Sequence, residues 1–262
     1  MDFAYIFSGF AVGLLVGLTG VGGGSLMTPL LVFLFNFSPA VAVGTDLLFA
    51  SITKTCGVWV HHDTHGSVNW KIVRQLAYGS LPAALLTILL LRYLHQNSKD
   101  ISGIITYSLG FALILTSIAV LIRSYLQRHA PPLSNESSVG RFGDKQLPYT
   151  VFTGFVLGVL VTLSSVGAGA LGTVALFFLY PRLPAIKIIG TDLAHAIPLT
   201  AIAGLGHLSL GNVNPTLLLS LLIGSLPGIW IGSHLSARIP DKILRPALAS
   251  VLLLIGLKFV LK

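Results

Sequence analysis

Charge is scarce in this chain: Asp, Glu, Lys and Arg make up 9% of the 262 residues, while hydrophobic residues supply 54%. A soluble globular protein carries roughly a quarter of its residues as charges, so this composition cannot build a water-facing surface. With a mean hydropathy of +0.88, most side chains must face lipid or one another. Cysteine is nearly missing as well. The one cysteine, Cys56, lies inside an apolar run, which excludes a disulfide framework and a cysteine metal centre. Acidic residues number 8 against 16 Lys and Arg. The basic residues stand at the ends of apolar runs and form no block with interleaved aromatics, so nucleic acid is excluded as a partner. HExxH, P-loop and Ser-His-Asp patterns are missing too, which argues against ATP hydrolysis and against an enzyme. Met1-Asp2 opens no positive n-region and no cleavage site follows, so no cleaved leader is expected.

What remains is an all-α polytopic membrane protein. Apolar runs between turn signals define ten segments, at 3–19, 25–36, 39–60, 71–94, 101–124, 148–164, 170–181, 184–207, 215–237 and 243–261, giving about eight to ten transmembrane segments. Gln127 to Pro148 is polar, proline-containing and serine-rich, and reads as a linker. The chain therefore divides into a first membrane unit at 1–126, a linker at 127–147 and a second unit at 148–262. If every segment crosses, eleven Lys and Arg collect on the linker side and four on the other. Positive charge is retained inside, so the linker is expected in the cytoplasm and both termini in the periplasm of a bacterial inner membrane.

The two units are copies. "GFAVGLLVGLTGVGGGSLMTPLLVFL" at 9–34 aligns without gaps to "GFVLGVLVTLSSVGAGALGTVALFFL" at 154–179, with 14 of 26 positions identical. Shared hydrophobicity inflates such a count, but the glycine placement is independent of it. "GTDL" at 44–47 returns at 190–193, and "GSLP" at 79–82 returns at 224–227. Five segments per unit is an odd number, so the second copy is expected upside down relative to the first. Inverted repeats of this kind characterise secondary transporters, whose sites lie between the halves near the midplane. Re-entrant hairpins at segments 1–2 and 6–7 would leave three crossings per half, still an odd number.

The glycine-rich stretch Gly20 to Gly24 interrupts the first apolar segment, and segment 2 after it has about 12 residues, some 18 Å of helix, too short for a core of about 30 Å. These are short, broken helices. A helix starting inside the membrane directs unpaired backbone N–H groups and a positive dipole end into a protein-lined cavity, which favours an anion. Candidate substrate-binding residues are Gly22, Gly23, Gly24 and Ser25, with Gly167, Ala168 and Gly169 in the second copy and hydroxyls from Ser164 and Ser165. The competing reading is close helix packing through small residues, which suits Gly9, Gly13 and Gly17 at four-residue spacing.

Three charges fall inside apolar segments: Asp46, Lys54 and Asp192. Each is costly in lipid and must face a cavity or a partner. The two aspartates are repeat-equivalent members of the GTDL motifs, suited either to capping a broken helix or to carrying a proton. Lys54 breaks the repeat, with Thr200 opposite it, and suits either an anionic substrate or an ion pair with an aspartate. His195 follows Asp192 by three residues on one helical face, as a titrating partner or as a singly hydrogen-bonded histidine. Asp46, Asp192 and His195 are thus the candidates for coupling or gating. Pro198 is expected to kink its segment. "HHDTH" at 61–65 has i,i+4 histidines but reads as an interfacial turn, so no metal site and no cofactor are assigned.

The glycine-rich "GLTGVGGGSLMTPLL", the paired "GTDL" motifs and the late "GSLPGIWIGSHLSARIP" resemble the TauE/SafE family of sulfite exporters and toluene sulfonate uptake permeases. The resemblance spans essentially 4–261. It implies a bacterial inner-membrane secondary transporter moving a small sulfur-containing anion (sulfite, a sulfonate, sulfoacetate or similar) by alternating access, in proton- or ion-coupled export. It carries over to Gly22–Ser25, Thr45, Asp46, Thr191 and Asp192, and departs at Ala168, where the family glycine is replaced. The implied partners are that anion and the lipid bilayer, with a homodimer left open. A passive anion channel using the same helix ends is the alternative.

Overall fold

The computed structural model describes residues 3–19, 24–65, 68–97, 101–129, 140–235 and 241–261. Among them are ten α-helices and no strand. The helices are α1 (Phe3–Thr19), α2 (Gly24–Leu34), α3 (Pro39–His65), α4 (Trp70–Gln96), α5 (Ile101–Arg128), α6 (Gln146–Ser164), α7 (Ala170–Leu179), α8 (Ala185–Ser209), α9 (Pro215–Leu235) and α10 (Asp241–Val260). The ten expected segments are all present. Prolines stand at the first position of α3 and α9, where the missing N–H costs nothing. Asn69 and Asn214 cap α4 and α9, their Oδ1 atoms accepting from Ile72 N at 3.3 Å and Leu217 N at 3.0 Å.

One expectation changes. The "HHDTH" stretch is no turn, because α3 runs on through His65; the side chains of 56–67 lie outside the described residues. Among the described residues, length and composition alone qualify five helices to cross a membrane, namely α4, α5, α6, α8 and α9. α2 and α7 have only 11 and 10 residues, about 15 Å each, and cannot cross unaided.

The packing is regular. α1 lies along α9 and α4 along α6; α3 pairs with α8 and α5 with α10; α2 rests on α3 and α7 on α8. That pattern is unchanged when each helix is exchanged for the one five places on. α3 and α8 run antiparallel, since Gly44 faces His207 and Asn212 while Gly204 faces Leu48. α5 and α10 do the same, with Gly110 against Phe259 and Ser117 Oγ donating to the Ala249 carbonyl at 2.8 Å. Backbones touch along α1 and α9: a Cβ on Gly13 would lie 2.4 Å from the Ser225 carbonyl oxygen. This is the small-residue packing expected of Gly9 and Gly13.

Polarity is distributed inside out. Leu85, Leu86, Leu89 and Leu90 of α4 stand exposed, as do Phe111, Ile118 and Leu121 of α5, while Asp46, Lys54, Arg123, Asp192 and His195 are buried. A surface of that kind is stable in lipid and not in water.

Candidate polar site at the helix breaks

The second break is fully described. α6 ends at Ser164, Ser165 turns into the left-handed region at φ 57°, and Gly167 and Gly169 follow at φ 109° and 146° before α7 begins. Glycine is needed at the last two positions because a side chain there meets its own backbone. No side chain caps α7. In the first copy α1 stops at Thr19 and α2 starts at Gly24. Gly22 and Gly23 lie outside the described residues, as does the side chain of Ser25.

Each short helix is met by a carboxylate from its own half. Thr28 of α2 donates to Asp46 Oδ2 at 2.5 Å, and Thr173 of α7 donates to Asp192 Oδ2 at 2.8 Å. Both threonines belong to the early turns of their helices, so a carboxyl group faces the N-terminal part of each short helix. The other oxygens, Asp46 Oδ1 and Asp192 Oδ1, are buried without a hydrogen-bond partner. Ser165 stands beside Asp46, yet its hydroxyl too is buried and outside hydrogen-bonding geometry. Gly172 makes room for Asp192: a Cβ there would fall 2.0 Å from Oδ1.

Lys54 joins the halves. From α3 it reaches the second break, where Nζ donates to the Ala168 carbonyl at 2.6 Å. Its ammonium lies within electrostatic reach of both Asp46 and Asp192 and of His195. Arg123 of α5, 4% exposed, also lies within electrostatic reach of Asp192. Lys54, Ala168, Asp46 and Asp192 therefore come together. His195 is near but differently engaged: its Nε2 pairs with Ser80 Oγ at 2.8 Å, across to α4. His207 Nε2 donates to the Thr162 carbonyl at 2.9 Å.

Thr45 and Thr191 turn out to hold the halves together. Thr45 Oγ1 accepts from Asn214 N at 3.1 Å, and Thr191 Oγ1 accepts from Asn69 N at 2.9 Å. Each GTDL threonine thus supports the N-terminal cap of a helix in the other copy. Sequence reasoning overlooked Thr28, Thr173, Ser80, Asn69, Asn214 and the buried Arg123. The signal for the first pair was present: Thr28 and Thr173 are identical positions of the ungapped alignment, polar within apolar runs.

The family model described as sulfite exporter TauE/SafE matches residues 5–259. A "Probable membrane transporter protein YjnA" of Bacillus subtilis is 41% identical over 99% of this chain and 100% of its own length. A "Probable membrane transporter protein YdhB" of the same organism is 26% identical over 94% of this chain and 97% of its own. A probable membrane transporter protein of Methanocaldococcus jannaschii is 28% identical over 96% and 92%. No solved structure matches the chain significantly.

Proposed function

The chain belongs to the sulfite exporter TauE/SafE family, and on that premise we propose that it is a secondary transporter moving a small sulfur-containing anion across the bacterial inner membrane by alternating access. One observation carries this reading. Asp46 Oδ1 and Asp192 Oδ1 are buried without hydrogen-bond partners among the described residues, on two carboxyl groups that both lie within electrostatic reach of Lys54. An unsatisfied buried polar group costs about 1–3 kcal/mol, and two of them where the short helices α2 and α7 begin mark a place where a ligand completes the bonding.

Charge balance supplies the coupling. Lys54 and Arg123 offset the two carboxylates. A bound anion adds a negative charge beside Asp46 and Asp192, and in a low-dielectric site that repulsion is not screened. A proton taken up with the anion removes it, and the unpartnered carboxylate oxygens are its landing sites. Protonation also withdraws the negative charge from a helix end, freeing the amides of that end, at Gly24–Ser25 or Gly169–Ala170, for the substrate. Lys54 then exchanges the Ala168 carbonyl for the anion.

The antiparallel pairing of α3 with α8 and of α5 with α10 supports reading the copies as an inverted repeat, the architecture in which rocking of one half exposes the central site alternately. The basic-residue bias supports a cytoplasmic linker and periplasmic termini. In proteoliposomes, saturable uptake of sulfite, a sulfonate or sulfoacetate is expected, with Lys54→Ala abolishing it. Failure of all three anions to move, or Lys54→Ala flux equal to the parent, overturns the reading. Sustained current without saturation replaces it by a channel.

A further inference from the structure

The face of α2 turned away from Asp46 lines a second feature, distinct from the polar site. Met27, Thr28 and Leu31 point into the protein and are fully buried. On the opposite side Leu26, Leu30 and Phe33 border a groove of about 430 Å³ whose other wall is Val251, Leu254 and Lys258 of α10. Among its lining side chains Lys258 is the only charged one, and it sits in the last turn of α10. Its Nζ lies 4.4 Å from the centre of the Phe33 ring, a cation–π contact that holds the ammonium at one end of the groove.

We propose that this groove binds one acyl chain of an anionic phospholipid, with the headgroup phosphate on Lys258. The dimensions fit. The lining residues run over two turns of α2 and of α10, about 12 Å, close to the half-thickness of about 15 Å that one leaflet's chain occupies. The chemistry fits as well: an apolar trough with one cation at its end matches an amphiphile with an anionic head. A zwitterionic lipid offers the same chain but places a quaternary amine beside the ammonium. The far end of the groove reaches Leu26, two residues beyond the start of α2 at Gly24. The lipid chain therefore supports from outside the short helix whose inner face presents Thr28 to Asp46.

Retention is tested on the purified protein by native mass spectrometry, titrating phosphatidylglycerol against phosphatidylcholine. The parent is expected to retain phosphatidylglycerol preferentially. Lys258→Gln, at an exposed position, is expected to weaken that retention about fivefold, the worth of one lysine at an anionic lipid surface, and to leave phosphatidylcholine retention unchanged. Leu254→Trp, which fills the groove from an exposed wall (67% exposed), is expected to remove the bound lipid. Equal retention of the two lipids by the parent, or unchanged phosphatidylglycerol retention in either variant, overturns the proposal. The readout is lipid binding, so it stands or falls apart from any transport result.

Discussion

Replacing Thr28 by valine removes one hydroxyl and keeps the shape of the side chain. Thr28 Oγ1 donates to Asp46 Oδ2 at 2.5 Å, Asp46 is fully buried, and its Oδ1 has no hydrogen-bond partner among the described residues. The carboxylate thus rests on this hydroxyl. Two magnitudes compete for the cost. Hydrogen bonds across membrane helices average only about 0.6 kcal/mol, because the membrane-embedded unfolded chain finds other partners. Hydrogen bonds to charged groups are worth about 1.5–3 kcal/mol. The larger figure applies here, since the carboxyl group is buried and the nearest other hydroxyl, that of Ser165, stands outside hydrogen-bonding geometry. For a chain of this size each kcal/mol moves the melting temperature by about 2–4 °C, so Thr28→Val is expected to lose roughly 3–12 °C in a thermal-unfolding assay in detergent. In the Asp46→Asn background the same change leaves only a neutral hydrogen bond to lose, about 0.5–1.5 kcal/mol, and the cycle isolates the charge-dependent part. A loss under about 1 °C, or no coupling between the two positions, refutes the reasoning.

Two further outcomes are expected. Gly172→Ala places a Cβ 2.0 Å from Asp192 Oδ1, so it should displace the carboxylate and abolish both monodisperse folding and flux; Gly211→Ala, with φ +76° but nothing within 4 Å, should cost only the left-handed strain of about 1–2 kcal/mol and preserve transport. Thr45→Val and Thr191→Val each strand one Asn N–H at the junction between the halves, so each should lower thermal stability by about 1–3 kcal/mol, and the double variant should lose at least the sum.

Much of the architecture is legible one segment at a time. Hydropathy and turn residues place ten helices within a few residues of their ends, because a helix in lipid must be apolar along its length and punctuated where it stops. The start of α2 at Gly24 and the break at Val166–Gly169 are legible for the same reason: glycine weakens a helix locally, whatever surrounds it. The reach of α3 through His65 was less so, since polar histidines resemble a turn until the fold shows the helix continuing.

Composition and repetition along the chain thus determine the solvent, the helix count, the two copies and the residues too costly to face lipid. The tertiary structure alone decided what those residues touch. Lys54 and Ala168 lie 114 positions apart, and Thr45 and Asn214 lie 169 apart. Helical periodicity tells which face a side chain shares with its neighbours three or four residues away. It carries no information about which other helix will pack there. That partner is set by the antiparallel pairing of α3 with α8 and by the close approach of glycine-lined helices, which only the assembled bundle fixes.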